Sequence, residues 1–195
     1  MFNYTLSELT PSKKEWIDAV LHDFDSFLQD HADCERKASG MAMSLVAKYP
    51  DRTEILQDLI HTGIEELEHF KLVYKIMANR GVGLNKKMTK DLYVEGLLKH
   101  INGDPTKGLR DRLIIAAIVE NRGFERFKVI SENVQDEELA KFYKMIYLSE
   151  AKHGEMFLRL AENYFDKLEI EQRYNEMVAI ETEVINSLAI APALH

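Results

Sequence analysis

A single cysteine, Cys34, excludes an intramolecular disulfide framework and any cysteine-built metal quartet. Only four prolines and nine glycines occur, and the prolines, with Gly81, Gly83 and Gly103, fall at breaks, which excludes a turn-rich β architecture. No apolar run is long enough to span a bilayer, so no membrane segment is expected. Residues 1–10 lack a basic start followed by an apolar stretch; no signal peptide is expected and the reading is cytoplasmic. Basic residues are outnumbered, 25 Lys and Arg against 33 Asp and Glu, and the net charge of −8 argues against a strongly basic nucleic-acid binder.

What is present is helix-forming sequence, almost without pause. A hydrophobic share of 46% in 195 residues suits one soluble domain over residues 1–195. Spacing predicts helices over about 12–29, 31–48, 53–80, 89–101, 107–133, 136–165 and 168–188. The second stops before Tyr49-Pro50, because a residue preceding proline avoids the helical region. Gly81-Val82-Gly83 ends the third as a C-terminal cap and not as a phosphate loop.

The informative pattern is a repeated ligand set. Glu66-Leu67-Glu68-His69 and Glu150-Ala151-Lys152-His153 are both Glu-x-x-His. Glu35 stands 31 residues before the first, and Glu120 stands 30 before the second. Segment 31–80 therefore repeats as segment 116–165, a duplicated helical hairpin. Each candidate lies on an apolar seam with steps of three and four, as in Leu59, Thr62, Glu66, His69, Val73 and Ile76. A carboxylate on a buried stripe costs several kcal/mol unless it is partnered, and metal ions would partner it. Residues three apart share a helix face, so a Glu and a His from one helix reach the same ion. Four glutamates and two histidines in this order are the ligands of a carboxylate-bridged di-metal site in a four-helix bundle. The fold class expected is all-α, a ferritin-like four-helix bundle with additional flanking helices. The metal ligands expected are Glu35, Glu66, His69, Glu120, Glu150 and His153. Mixed carboxylate and imidazole donors suit iron or manganese better than a thiolate-loving metal.

Other residues have plainer readings. Glu65 and Glu68 lie on other faces and are read as solvated; His22, His61 and His100 as surface residues; Cys34 and the methionines as core filler. His31 sits one turn before Glu35 on the same seam, where a supporting role to the ligand is open.

With these residues in place, the chain resembles the bacterial tRNA 2-methylthio-isopentenyladenosine hydroxylases, ferritin-like non-haem di-iron monooxygenases. The resemblance rests on Asp30-His31-Ala32 leading to Glu35 and Lys37-Ala38, and on Glu65-Glu66-Leu67-Glu68-His69-Phe70. It continues through Arg80-Gly81, Glu120 with Arg122, Glu125-Arg126-Phe127, and Ser149-Glu150-Ala151-Lys152-His153. It departs at Asn121 and Gly123-Phe124, where small residues are expected; Phe124 on the seam would reshape a substrate pocket. The resemblance implies hydroxylation of an allylic methyl on a hypermodified adenosine beside the anticodon of tRNA. It implies two irons, dioxygen as co-substrate and an unidentified electron donor, with no catalytic residue beyond the metal ligands. The oligomeric state, monomer or small homo-oligomer, is open. Candidate tRNA contacts are Arg80, Lys86, Lys87 and Lys90 around one loop, and Arg110, Arg112, Arg122 and Arg126 along one helix. The alternatives are other ferritin-like enzymes, a rubrerythrin-like peroxidase or a quinone-precursor hydroxylase, and an iron store or metal-free scaffold. The lone cysteine weighs against the first of these.

Overall fold

The computed structural model describes residues 4–87 and 90–195. Its regular structure, among the described residues, is entirely helical: α1 (Lys14–His22), α2 (Phe24–Lys48), α3 (Thr53–Asn79), α4 (Leu92–Leu98), α5 (Pro105–Asn133), α6 (Glu137–Glu162) and α7 (Lys167–Ser187). The chain sorts into two compact units, one built on residues 14–87 with 190–194, the other on 4–13, 90–189 and 195. Each unit holds one copy of the duplicated hairpin.

In the first unit the hairpin is α2 packed on α3. The first predicted helix does not run to 29. Asp23 leaves the helical region (φ −131°) and its carboxylate accepts the Ser26 N–H at 3.1 Å, so α2 begins at Phe24. Phe27, placed on the first helix by spacing alone, is buried on the second. At the other end α3 closes as expected from Gly81. The glycine takes φ 73°, its N–H reaches Ala78 O, and the Val82 N–H reaches Met77 O at 2.9 Å. The seam between the two helices buries Ala42, Leu45, Ile55 and Leu59. It is tied by Ser39 Oγ donating to Gly63 O at 2.7 Å. Near the C-terminal end of the chain, the Trp16 indole donates to Ala193 O at 2.8 Å and the Leu194 N–H to Asp30 at 2.7 Å, which fastens residues 193–194 to α1 and α2.

In the second unit α5 packs along α6, with α4 and α7 alongside. Pro105 opens α5 two residues earlier than predicted, because Asp104 caps it by accepting from Thr106 and Lys107. Asp136 caps α6 in the same way. The predicted 89–101 helix is shorter, Leu92–Leu98, capped by Asp91; its expected first residue lies outside the described residues. Gly154 on α6 lets that helix approach α5 closely. A Cβ there would collide with Asn121 Oδ1, and Asn121 in turn donates to Tyr174 OH on α7 at 3.0 Å. An alanine at 154 would force that asparagine aside, a change of the kind that costs about 1–3 kcal/mol.

Of the four α5 arginines offered as tRNA contacts, Arg110, Arg122 and Arg126 are buried and make no basic face, while Arg112 is half-buried. Arg122 is 1% exposed and Arg126 is 5% exposed. Arg122 donates to Glu181, Glu125 and Thr10 O, and Arg126 donates to Ser12 Oγ. Burial, with Arg122 next to it, lowers the Arg126 pKa to about 10. Arg110 is spent on Asp111 and Glu169. Burial alone would push the Asp111 pKa up, but Arg173, the Asn102 N–H and Arg110 more than offset it and hold the carboxyl below its usual value. These ion pairs tie α5 to α7 within the second unit.

Candidate metal centre

Each hairpin brings its own three candidates together. In the first, α2 supplies Glu35 and α3 supplies Glu66 and His69, all buried. His69 Nδ1 lies 3.4 Å from Glu66 Oε2 and 3.7 Å from Glu35 Oε2. In the second, α5 supplies Glu120 and α6 supplies Glu150 and His153, again buried. His153 Nδ1 lies 3.3 Å from Glu150 Oε2 and 3.8 Å from Glu120 Oε2. The two triads thus repeat one geometry, as the sequence duplication requires.

These separations suit a shared ion. Donors about 2.1 Å from one metal lie about 3.0–3.4 Å apart in octahedral or tetrahedral arrangements. The observed distances are at or slightly above that range, so small side-chain movements bring three donors onto one cation. Electrostatics points the same way. Two carboxylates and an imidazole, each under a tenth exposed, share each hairpin's seam. Buried like charges are held only if protons or cations compensate them. The donors are oxygen and nitrogen with no thiolate, which selects against soft metals.

His31 is the residue that sequence reading left open. It is fully buried on α2, and its Nε2 lies 2.6 Å from Glu35 Oε1. When Glu35 is ionised, as a metal ligand is, its carboxylate only accepts and Nε2 is the donor. This leaves Glu35 Oε2 turned toward His69. The second hairpin has no such support in the same register: the residue one turn before Glu120 is Ala116, which is buried. Helical spacing offered His31 as a neighbour of Glu35, but not the direction of its ring.

The plain readings hold for the acids and histidines but not for all the methionines: Met77 is fully buried as core filler, whereas Met145 is 48% exposed, because it lies off the buried stripe of α6. Glu68 is exposed and pairs with Lys71, and His22, His61 and His100 are exposed. Cys34 is buried, with Sγ 3.7 Å from Asp30 Oδ2. No helix among the described residues is long and apolar enough to cross a membrane.

Comparison with known proteins gives the family and the fold. The family described as tRNA-(MS[2]IO[6]A)-hydroxylase (MiaE) matches residues 4–195. The tRNA 2-(methylsulfanyl)-N(6)-isopentenyladenosine(37) hydroxylase of Pseudomonas putida is 36% identical over 177 residues, 91% of this chain and 85% of that protein. The Salmonella typhimurium protein of the same name is 33% identical over 123 residues, 63% of this chain and 44% of that one. Among solved structures, Protein 43 with aldehyde deformylating oxygenase activity, from Synechococcus, superposes with a TM-score of 0.90 at 26% identity, covering 95% of this chain and 93% of its own. The fold is therefore all-α and ferritin-like, and the chain belongs to the family of tRNA-modifying hydroxylases that the first match describes.

Proposed function

We propose that this chain is an oxygen-dependent di-iron monooxygenase that hydroxylates the isopentenyl group of 2-methylthio-isopentenyladenosine in tRNA. In this reading residues 1–195 act as one domain, and Glu35, Glu66, His69, Glu120, Glu150 and His153 together hold two irons. The observation that carries it is the paired triad: each hairpin offers two buried carboxylates and one imidazole at ligand-to-ligand spacing. Family membership and two hydroxylase relatives support the substrate.

The reaction consumes dioxygen, two electrons and two protons; one oxygen atom enters a C–H bond and the other leaves as water. When bound, iron supplies the activation of dioxygen and the attack on an unactivated C–H bond that no side chain can perform. The remaining work falls to the protein. Four glutamates balance the charge of two divalent ions, so the buried centre is neutral overall. Neutral His69 and His153 complete the donor set without adding charge. Leu59 beside the first triad, and Leu113, Ala117 and Phe157 beside the second, are fully buried and keep water out. His31 fixes the Glu35 carboxylate. The tRNA backbone meets the exposed Lys86 and Lys87 after α3; Arg80 is paired with Asp25, and Lys90 stands 3.4 Å from Glu95.

The direct test is turnover. Iron-loaded protein with a reductant and labelled dioxygen is expected to add one labelled oxygen atom to the isopentenyl group, read by mass spectrometry of the digested tRNA. Iron-loaded protein that adds none overturns the proposal. A second outcome concerns His31. Supporting residues of this kind are worth about 10–100-fold in metal affinity. His31→Ala is expected to weaken iron binding by about that factor in chelator competition, whereas Ala116→Gly, its counterpart in the second hairpin, has no ligand support to lose.

A further inference from the structure

Aligning the two hairpins on their ligands matches Glu35 with Glu120, Glu66 with Glu150 and His69 with His153. It also matches the layer one helical turn away, Ser39 with Phe124 and Gly63 with Tyr147. There the copies differ. In the first hairpin the layer is shut: Ser39 and Gly63 are buried and hydrogen bonded at 2.7 Å. In the second, the Phe124 and Tyr147 rings meet edge to face, centroids 5.6 Å apart at 81°, and both remain partly exposed. On the far side of the second triad, Leu113, Ala117 and Phe157 are 0% exposed. One turn further along the seam, the Phe127 and Tyr143 rings pair at 5.7 Å and are buried, at 2% and 0% exposure. An aromatic pair serving only as core filling is buried like that one. The Phe124–Tyr147 layer instead interrupts a closed seam with two partly exposed aromatic residues, one helical turn from Glu120 and Glu150.

We propose that Phe124 and Tyr147 form the aromatic wall on which the purine of the substrate nucleoside stacks, with Phe124 supplying the main stacking face. This rests on the function proposed above and adds the residues that position its substrate. Distance supports the assignment. The isopentenyl methyl is four bonds from the exocyclic nitrogen, about 5 Å when extended at about 1.5 Å per bond. One helical turn is about 5.4 Å. A methyl presented at the ligand layer therefore leaves the purine at the Phe124–Tyr147 layer. A splayed base read from single-stranded RNA is commonly held by stacking on aromatic side chains.

The test measures binding of the free 2-methylthio-isopentenyl nucleoside to iron-loaded protein without oxygen, alongside KM and kcat with oxygen. Phe124→Leu keeps apolar volume but removes the π face, and Phe124→Tyr restores it. Phe124→Leu is expected to raise the nucleoside Kd and KM about tenfold, with kcat at saturation and iron content within twofold of wild type. Phe124→Tyr is expected to bind as wild type does, and affinity for a purine-free prenyl alcohol is expected to be unchanged in both. A Phe124→Leu protein that binds the nucleoside as tightly as wild type overturns the wall, even while turnover continues. Equal weakening for nucleoside and prenyl alcohol overturns it too, since the loss is then not the purine's. A wild-type protein that neither binds nor hydroxylates the nucleoside overturns the function itself, and the wall with it.

Discussion

Glu66→Ala is expected to abolish hydroxylation, by at least about a thousandfold, and to reduce bound iron from two per chain to at most one. The carboxylate lost is 1% exposed and sits 3.4 Å from the His69 nitrogen. If the glutamate of each Glu-x-x-His is shared between both ions, Glu66→Ala and Glu150→Ala each remove both irons. If the triads hold their ions independently, each substitution removes one. Elemental analysis of the two variants separates these cases. Thermal stability gives a second reading with an unusual sign. Without metal, the wild-type triad confines two carboxylates in a dry seam, a cost of several kcal/mol that protonation only partly relieves. Removing one of them should leave the metal-free variant at least as stable as metal-free wild type. Iron, by contrast, stabilises only the protein that binds it, by about 4 kcal/mol at a thousand times Kd. Wild type should therefore gain a large rise in melting temperature on iron addition, and Glu66→Ala little or none. A variant that keeps two irons and full activity would remove Glu66 from the centre.

The ligand triads could be read because a carboxylate at helical spacing on an apolar stripe is a conflict that few arrangements resolve. Glu66 and His69 three apart fix one face, and the duplication supplies their partners. Helix ends were legible where a residue type compels them, as at Pro50 and Gly81. They were misjudged where a single side chain decides. Asp23 breaks the chain between α1 and α2 by capping, and a lone aspartate amid helix formers carries little signal by itself. Spacing also says nothing about rotamers, so His31 remained a neighbour of Glu35 until its ring was seen to meet the carboxylate. Arg110, Arg122 and Arg126 of α5 misled for a related reason. Charge along a helix reads the same whether it faces solvent or an internal acid, and Glu181, the acid that claims Arg122, is 59 residues away.

That pair should dominate the stability of the second unit. Arg122 is 1% exposed and Glu181 is fully buried, and Nε and Nη2 of the arginine both donate to Glu181 Oε1, at 2.9 and 2.7 Å. Tyr93 OH adds a third donor to the same oxygen at 3.0 Å; burial first, and then the Glu181 charge, raise its pKa well above normal. Arg122→Met strands the carboxylate in an apolar setting. Breaking a buried pair from one side costs about 3–5 kcal/mol, and at about 2–4 °C per kcal/mol the melting temperature falls by about 6–20 °C. Glu181→Leu should cost a similar amount by stranding the guanidinium. Arg122→Met with Glu181→Leu removes both charges, and should lose less than the sum of the singles by at least about 2 kcal/mol, the coupling expected of groups in one network. Recovery stays incomplete, because Tyr93 OH and Thr10 O are left short of a partner. Urea denaturation of the four proteins measures this cycle, and strictly additive losses would show that the pair is not coupled. Two residues along a helix turn a side chain to the far side, so Arg122 points away from the seam that carries Glu120. The double variant should accordingly keep its iron and its turnover at low temperature, and the salt dependence of its tRNA affinity should match that of wild type. A salt slope that drops by about one would instead return Arg122 to the phosphate-binding surface.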